Sequence, residues 1–168
     1  MTISMHAASV PVFRQLLNSL SEVLAKAENH AIERKIEPAA LLQARLYPDM
    51  FALTRQVQIA ADFAKGACAR LAGVEVPKWE DTEQSFAELR ERLAKTVTFI
   101  DSLPQDQIDQ SADRMINTSA GPKSKTFTGQ TYLAHYALPQ FLFHATTTYA
   151  ILRHNGVEIG KRDFMGTF

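Results

Sequence analysis

A single cysteine, Cys68, stands among 168 residues, which excludes an internal disulfide framework and a zinc site built from thiolates. Neither sign of charge is in surplus. Eighteen Lys and Arg meet 18 Asp and Glu, so the basic excess typical of nucleic-acid-binding proteins is missing. No run of about eighteen apolar residues occurs, and no membrane span is expected. The opening Met1-Thr2-Ile3-Ser4-Met5-His6 lacks the charged start and apolar stretch of a secretory leader, so the cytoplasm is the expected location. Internal repeats and low-complexity runs are absent. Apolar residues make up 46% of the chain and charged ones 21%, the balance of a folded protein rather than a disordered one. The length suits one domain, 1–168, able to bury a core without covalent staples.

What is present is helical periodicity. Phe13, Leu16, Leu17, Leu20, Leu24 and Ala27 recur at steps of three and four, which predicts an amphipathic helix over 10–32, with Ser9 as its cap and Pro11 in its first turn. Glu37-Pro38 opens a short helix to Leu42. Pro48 disfavours helical geometry at Tyr47, and a second long helix is expected from Asp49 to Ala72. Its core face carries Leu53, Val57, Ala60, Phe63, Ala64, Ala67, Cys68 and Leu71. Arg55, Gln58, Asp62 and Lys65 form a separate polar stripe, read as solvated or subunit-facing. Asp81 or Thr82 caps a third helix whose stripe is Phe86, Leu89, Leu93, Val97, Ile100 and Leu103, and Pro104 ends it. Residues 104–128 are irregular, with a short hairpin expected where 114–118 and 124–128 flank Ala120-Gly121-Pro122. A fourth helix follows Gly129 and runs to Asn155, kinked at Pro139. It is apolar nearly all round, which predicts burial. In the tail, Phe164, Met165 and Phe168 should dock on the bundle or on a partner. The pattern predicts an all-α four-helix bundle with a short irregular or hairpin insertion before the last helix.

The chemistry-bearing signal is sparse. The five histidines include no pair three or four apart. His135 and His144 are separated by about half a turn of rotation on a straight helix, so a shared metal is not expected. Gln140, His144 and Thr148 line one face of the buried helix, and Asp49 and Gln56 lie toward the apolar side of helix two. If these faces meet, a polar cluster is buried, and each member costs about 1–3 kcal/mol unless hydrogen-bonded. A satisfied core histidine is the commoner arrangement, with a ligand site as the alternative. Cys68 reads as a small core residue. Asn117-Thr118-Ser119 matches a glycosylation sequon without a secretory context.

Several blocks resemble a bacterial family, the domain of unknown function nineteen-ninety-three, within the DinB/YfiT-like superfamily of proposed metalloenzymes. They are Leu46-Tyr47-Pro48-Asp49-Met50-Phe51, Arg55-Gln56-Val57-Gln58-Ile59-Ala60, Asp62-Phe63-Ala64-Lys65-Gly66, Leu138-Pro139-Gln140-Phe141-Leu142-Phe143-His144, and Tyr149 through Val157. The resemblance implies a four-helix bundle in up-down-down-up order, often dimeric. In many superfamily members one histidine on helix two and an H-x-x-x-H pair on helix four hold a divalent metal. Aligned on Leu152-Arg153-His154-Asn155-Gly156, His144 falls on the second histidine of that pair, Gln140 stands where the first would be, and helix two offers only Asp49 and Gln56.

Two functions are therefore expected to compete. One is a small-molecule-binding protein or enzyme whose degenerate metal-site pocket surrounds His144, at the ends of helices two and four. There His144 and Asp49 are the catalytic candidates, and Gln56, Gln140, His144 and Thr148 the ligand-binding ones. No cofactor is called for, and zinc, nickel or manganese is disfavoured on so poor a donor set. By analogy with thiol transferases of the superfamily, a low-molecular-weight thiol is one conceivable ligand. The alternative is a non-catalytic homodimer with a hydrogen-bonded polar core. Nucleic-acid and membrane partners are not expected.

Overall fold

The computed structural model describes residues 3–118 and 124–167. Four long helices dominate: α1 (Val10–Arg34), α3 (Leu53–Ala72), α4 (Phe86–Asp101) and α7 (Leu138–His154). The short helices α2 (Pro38–Leu42), α5 (Gln105–Asp109), α6 (Gly129–Thr131) and α8 (Lys161–Met165), and strands β1 (Met115–Thr118) and β2 (Lys125–Thr128), fill the connections. The chain is thus mostly helical with a small two-stranded sheet. The strands pair antiparallel, Met115 with Thr128 and Thr118 with Lys125, where the hairpin was expected. Its turn at Ala120-Gly121-Pro122 lies outside the described residues, as do Ser119 of the sequon and Phe168.

Contact pairs give the helix directions. Phe13 meets Phe141 edge-on at 5.0 Å and His30 faces Gly156, so α1 and α7 run the same way. Arg14 pairs with Asp101 and Glu28 with Arg90, so α4 runs against α1. Gln56 meets His144 and Arg70 meets Tyr132, so α3 runs against the last helix. The apolar stripes interlock between these pairs: Phe13, Leu17, Leu20, Leu24, Leu53, Val57, Leu71, Leu89 and Phe141 are all buried. Each such side chain contributes about 1.5–3 kcal/mol of transfer free energy.

The first helix starts at Val10 as expected, but its cap bond and the next two helix starts differ, each for a local reason. Ser9 makes no side-chain cap; its hydroxyl donates to the Met5 carbonyl at 2.6 Å. The second long helix begins at Leu53 rather than Asp49, because 47–50 close a turn in which the Met50 N–H donates to the Tyr47 carbonyl. The third is capped by Ser85, whose hydroxyl accepts from the Glu88 N–H, while the Glu88 carboxylate reaches back to the Gln84 N–H; Asp81 instead accepts from Arg55 and Arg92. The last helix meets Pro139 in an unexpected way. Residues Tyr132–Ala137 form a π-helical turn directly before it, and proline lacks the N–H that a regular α-helix would use there. The tail docks on its own bundle. Gln15 Nε2 donates to the Met165 carbonyl at 2.8 Å, Lys26 pairs with Asp163 at 2.6 Å, and Phe164 packs on Tyr149.

Candidate functional site

His144 lies on the inward face of α7 and Gln56 on that of α3. They are 7% and 1% exposed, and the imidazole Nδ1 sits 2.7 Å from Gln56 Oε1. Gln56 Nε2 donates to the Phe51 carbonyl at 3.1 Å. That bond fixes the carboxamide with its oxygen toward the ring, so Nδ1 must carry the hydrogen and the neutral imidazole keeps its lone pair on Nε2. Phe63 stacks on the ring at 5.9 Å and Phe143 meets it edge-on at 5.2 Å. Burial first, and the Arg55 charge second, hold the imidazole below its ordinary pKa.

The other expected members separate. Thr148 is buried, but its hydroxyl donates to the His144 backbone carbonyl at 2.9 Å and leaves the ring alone. Gln140 is half-buried one turn earlier. Asp49 is exposed in the turn before α3; losing four expected helical residues removes it from the buried face, so it does not orient His144. Among the described residues no group of three His, Cys, Asp or Glu side chains could hold a metal. One imidazole and one carboxamide oxygen do not fit a tightly held divalent ion. Cys68 is fully buried, and desolvation, helped by Asp101, pushes its thiol far above the ordinary range, so it is an inert core residue.

Behind Phe63 opens a cavity of about 460 Å³ lined by Arg55, Asp62, Phe63, Arg70, Thr118, Tyr132 and Tyr136. The π-helical turn supplies both tyrosines, whose rings stack at 5.8 Å, and β2 adds Phe127 at 5.4 Å from Tyr136. Arg70 Nη1 donates to Tyr132 Oη at 3.2 Å. Burial raises the Tyr132 phenol pKa against the pull of Arg70, so it stays neutral. The hairpin is fixed here because Gly129 abuts Ser111: a Cβ at 129 would stand 2.0 Å from the Ser111 carbonyl oxygen. The Tyr132/Tyr136 pair, four residues apart on an apolar helix, was the signal that sequence reasoning passed over.

The polar stripe of α3 is solvated only in part: the Arg55 and Asp62 side chains are partly exposed, whereas the other two members are covered. Gln58 and Lys65 are each 4% exposed, covered by the segment 74–85 that crosses above them. Arg92 from α4 is the hub, pairing with Asp62 at 3.0 Å, Asp81 at 2.8 Å and Glu83 at 2.8 Å. Gln58 Nε2 donates to Glu83 at 2.8 Å. Burial would raise the Glu83 carboxyl, but the hydrogen bonds from Arg92 and Gln58 hold it below its usual range. Trp79 lies between Lys65 and Lys95, whose ammonium groups stand 4.3 and 4.4 Å from its ring centroid.

No curated protein matches the chain. The crystal structure of a DinB family member from Shewanella denitrificans superposes with a TM-score of 0.90 at 39% identity, covering 97% of this chain and 92% of that one. A family model described as "Domain of unknown function (DUF1993)" matches residues 5–165. The chain therefore belongs to the DUF1993 family, among proteins of DinB-like fold.

Proposed function

We propose that this chain is a single-domain, up-down-down-up four-helix bundle that binds a small molecule in the cavity between α3, the π-helical turn and the hairpin. The observation that carries the reading is the aromatic-walled hollow of about 460 Å³, a size and lining suited to a ligand. His144 and Gln56 form its inner support: His144 backs Phe63, and Gln56 fixes the imidazole. Of the residues expected to bind ligand, His144 and Gln56 act through Phe63, Thr148 holds the backbone behind them, and Gln140 lies outside the cavity wall. The test is a fragment screen by NMR on the isotopically labelled chain. Perturbed resonances should cluster at Phe63, Tyr132, Tyr136 and the His144 ring. Perturbations confined to other faces would refute the assignment.

A second reading, homodimerisation, is favoured by a separate observation. Leu46, Pro139, Leu142, Phe143, Thr146, Thr147 and Ala150 line an apolar groove in which Phe143 is 54% exposed, and such patches mark association surfaces. Light scattering should find a dimer that Phe143→Asp dissociates. A monomer at about 100 μM would remove this reading without touching the first.

A further inference from the structure

The cavity carries an uncompensated positive charge. Arg55 is paired with Asp81, and Asp62 is taken by Arg92 and Lys65. Arg70 differs: among the described residues no carboxylate lies within ion-pair distance of it, and its bonding partner is the neutral Tyr132 hydroxyl. It is half-buried, where an unpaired cation is costly. The fold nonetheless makes room for it. A Cβ at Gly66 would fall 2.5 Å from Arg70 Nη1, so the bare backbone one turn earlier is the berth in which the guanidinium lies. Lys125 stands close by, 5.4 Å from the Tyr136 ring centroid. The aromatic part of the wall is Phe63, which is half-buried, with the edges of Tyr132 and Tyr136 beside it.

We infer that the cavity takes a small organic anion, a flat unsaturated body against Phe63 with one carboxylate or phosphate head on Arg70. The inference rests on the ligand-binding reading above and adds the chemical class. Arg70 has a planar fork of donors of which Tyr132 engages one, and the remainder match the two-oxygen edge of either head group. The aromatic rings supply area and stacking for an unsaturated ring, and less for a saturated one.

The experiment is calorimetric and NMR titration of the full chain with benzoate, phenyl phosphate, cyclohexanecarboxylate and uncharged benzyl alcohol. Benzoate or phenyl phosphate should bind at least about tenfold more tightly than benzyl alcohol, and the tighter of the two names the head group. Cyclohexanecarboxylate should fall between. Arg70→Gln should weaken the anions about ten- to a hundredfold, the range for a charge-assisted bond, and leave benzyl alcohol unchanged. Gly66→Ala should weaken the anions in the same direction but less, because the guanidinium must shift around the new methyl, and it serves if Arg70→Gln does not fold. Equal binding of benzyl alcohol and benzoate to the wild type, or anion binding indifferent to both variants, overturns the inference while the cavity remains a binding site. No perturbation of Tyr132 or Tyr136 by any of the four probes at 10 mM overturns both readings.

Discussion

Gln56→Leu tests the buried pair most directly, because leucine keeps much of the volume and removes both hydrogen bonds. The His144 Nδ1–H then loses its acceptor and the Phe51 carbonyl its donor. A buried polar group left unpaired costs about 1–3 kcal/mol. The Phe51 carbonyl is near the surface, since Phe51 is 53% exposed, and water can replace its donor. The imidazole is 7% exposed and walled by Phe63 and Phe143, so most of the penalty falls on it. The expected loss is about 2–3 kcal/mol at pH 7, read from urea unfolding with an unchanged m-value. Nitrogen NMR of the imidazole gives an independent readout: the wild-type ring should be protonated at Nδ1, and the variant should lose that preference. A loss below about 0.5 kcal/mol with the tautomer unchanged would refute the argument that Gln56 fixes the ring.

The same pair sets a pH signature. Burial and Arg55 lower the folded-state pKa of His144 below its unfolded value of about 6.5. The unfolded chain therefore binds a proton first as the pH falls, and stability declines from about pH 6.5 downward until the folded pKa is reached. The slope from this one group cannot exceed about 1.4 kcal/mol per pH unit, and His144→Gln should remove it. In Gln56→Glu the new carboxylate would face Nδ1–H and favour the imidazolium. The folded pKa then rises above the unfolded one, and the extra stability is present in acid and lost as pH rises through the folded value. An NMR titration of the ring that moved down in both proteins would refute this.

Three further outcomes follow from the packing. Arg92→Met leaves Asp62, Asp81 and Glu83 without their shared cation and should cost about 2–4 kcal/mol by chemical denaturation; a change under about 1 kcal/mol would show the network to be dispensable. Trp79→Ala removes two cation–π contacts of about 0.5–1 kcal/mol each, so limited proteolysis should cut the 74–85 segment faster while the helices resist. Equal cutting of wild type and variant would mean that Trp79 does not hold that segment. Gly129→Ala sets a methyl 2.0 Å from a backbone oxygen that cannot swing aside, and it should cost about 3 kcal/mol or more or abolish folding. A thermal midpoint within a degree or two of wild type would contradict the described approach of Gly129 to Ser111.

Periodicity made the helices readable because burial in a bundle follows the helical repeat: Phe13, Leu17, Leu20 and Leu24 lie on one face by spacing alone, and all four are buried. His144 stood out for the opposite reason, a polar ring in an apolar run, and Gln56, which bonds its ring, was one of two polar residues that spacing placed toward the apolar side of helix two. Asp49 was misplaced because Pro48 closes a turn instead of merely bending a helix, and turn geometry leaves little trace in hydrophobic period. The Arg92 network joins residues from 62 to 92 through a covering segment that has no periodicity of its own. The π-helical turn was invisible for a subtler reason. Passing from i→i+4 to i→i+5 bonding needs no special residue, yet it re-phases every side chain before Pro139 against those after it.

That re-phasing connects the two halves of the site. It brings Tyr132 and Tyr136 onto the α3-facing side together with His144, while His135 in the same turn stays exposed. Opposite them α3 presents Arg55, Gln56, Phe63 and Arg70, two cations and no free carboxylate, since Asp62 already serves Arg92 and Lys65. Arg55, the charge that helps depress His144, would repel a divalent cation twice as strongly as it repels the imidazole's proton. A carboxylate in place of Gln56 would reverse that balance; a carboxamide does not. Burial and Arg55 keep the imidazole neutral, and Gln56 adds no charge that would draw a cation to it. The unpaired Arg70 in the neighbouring hollow acts in the same direction, disfavouring a metal ion and favouring an anion.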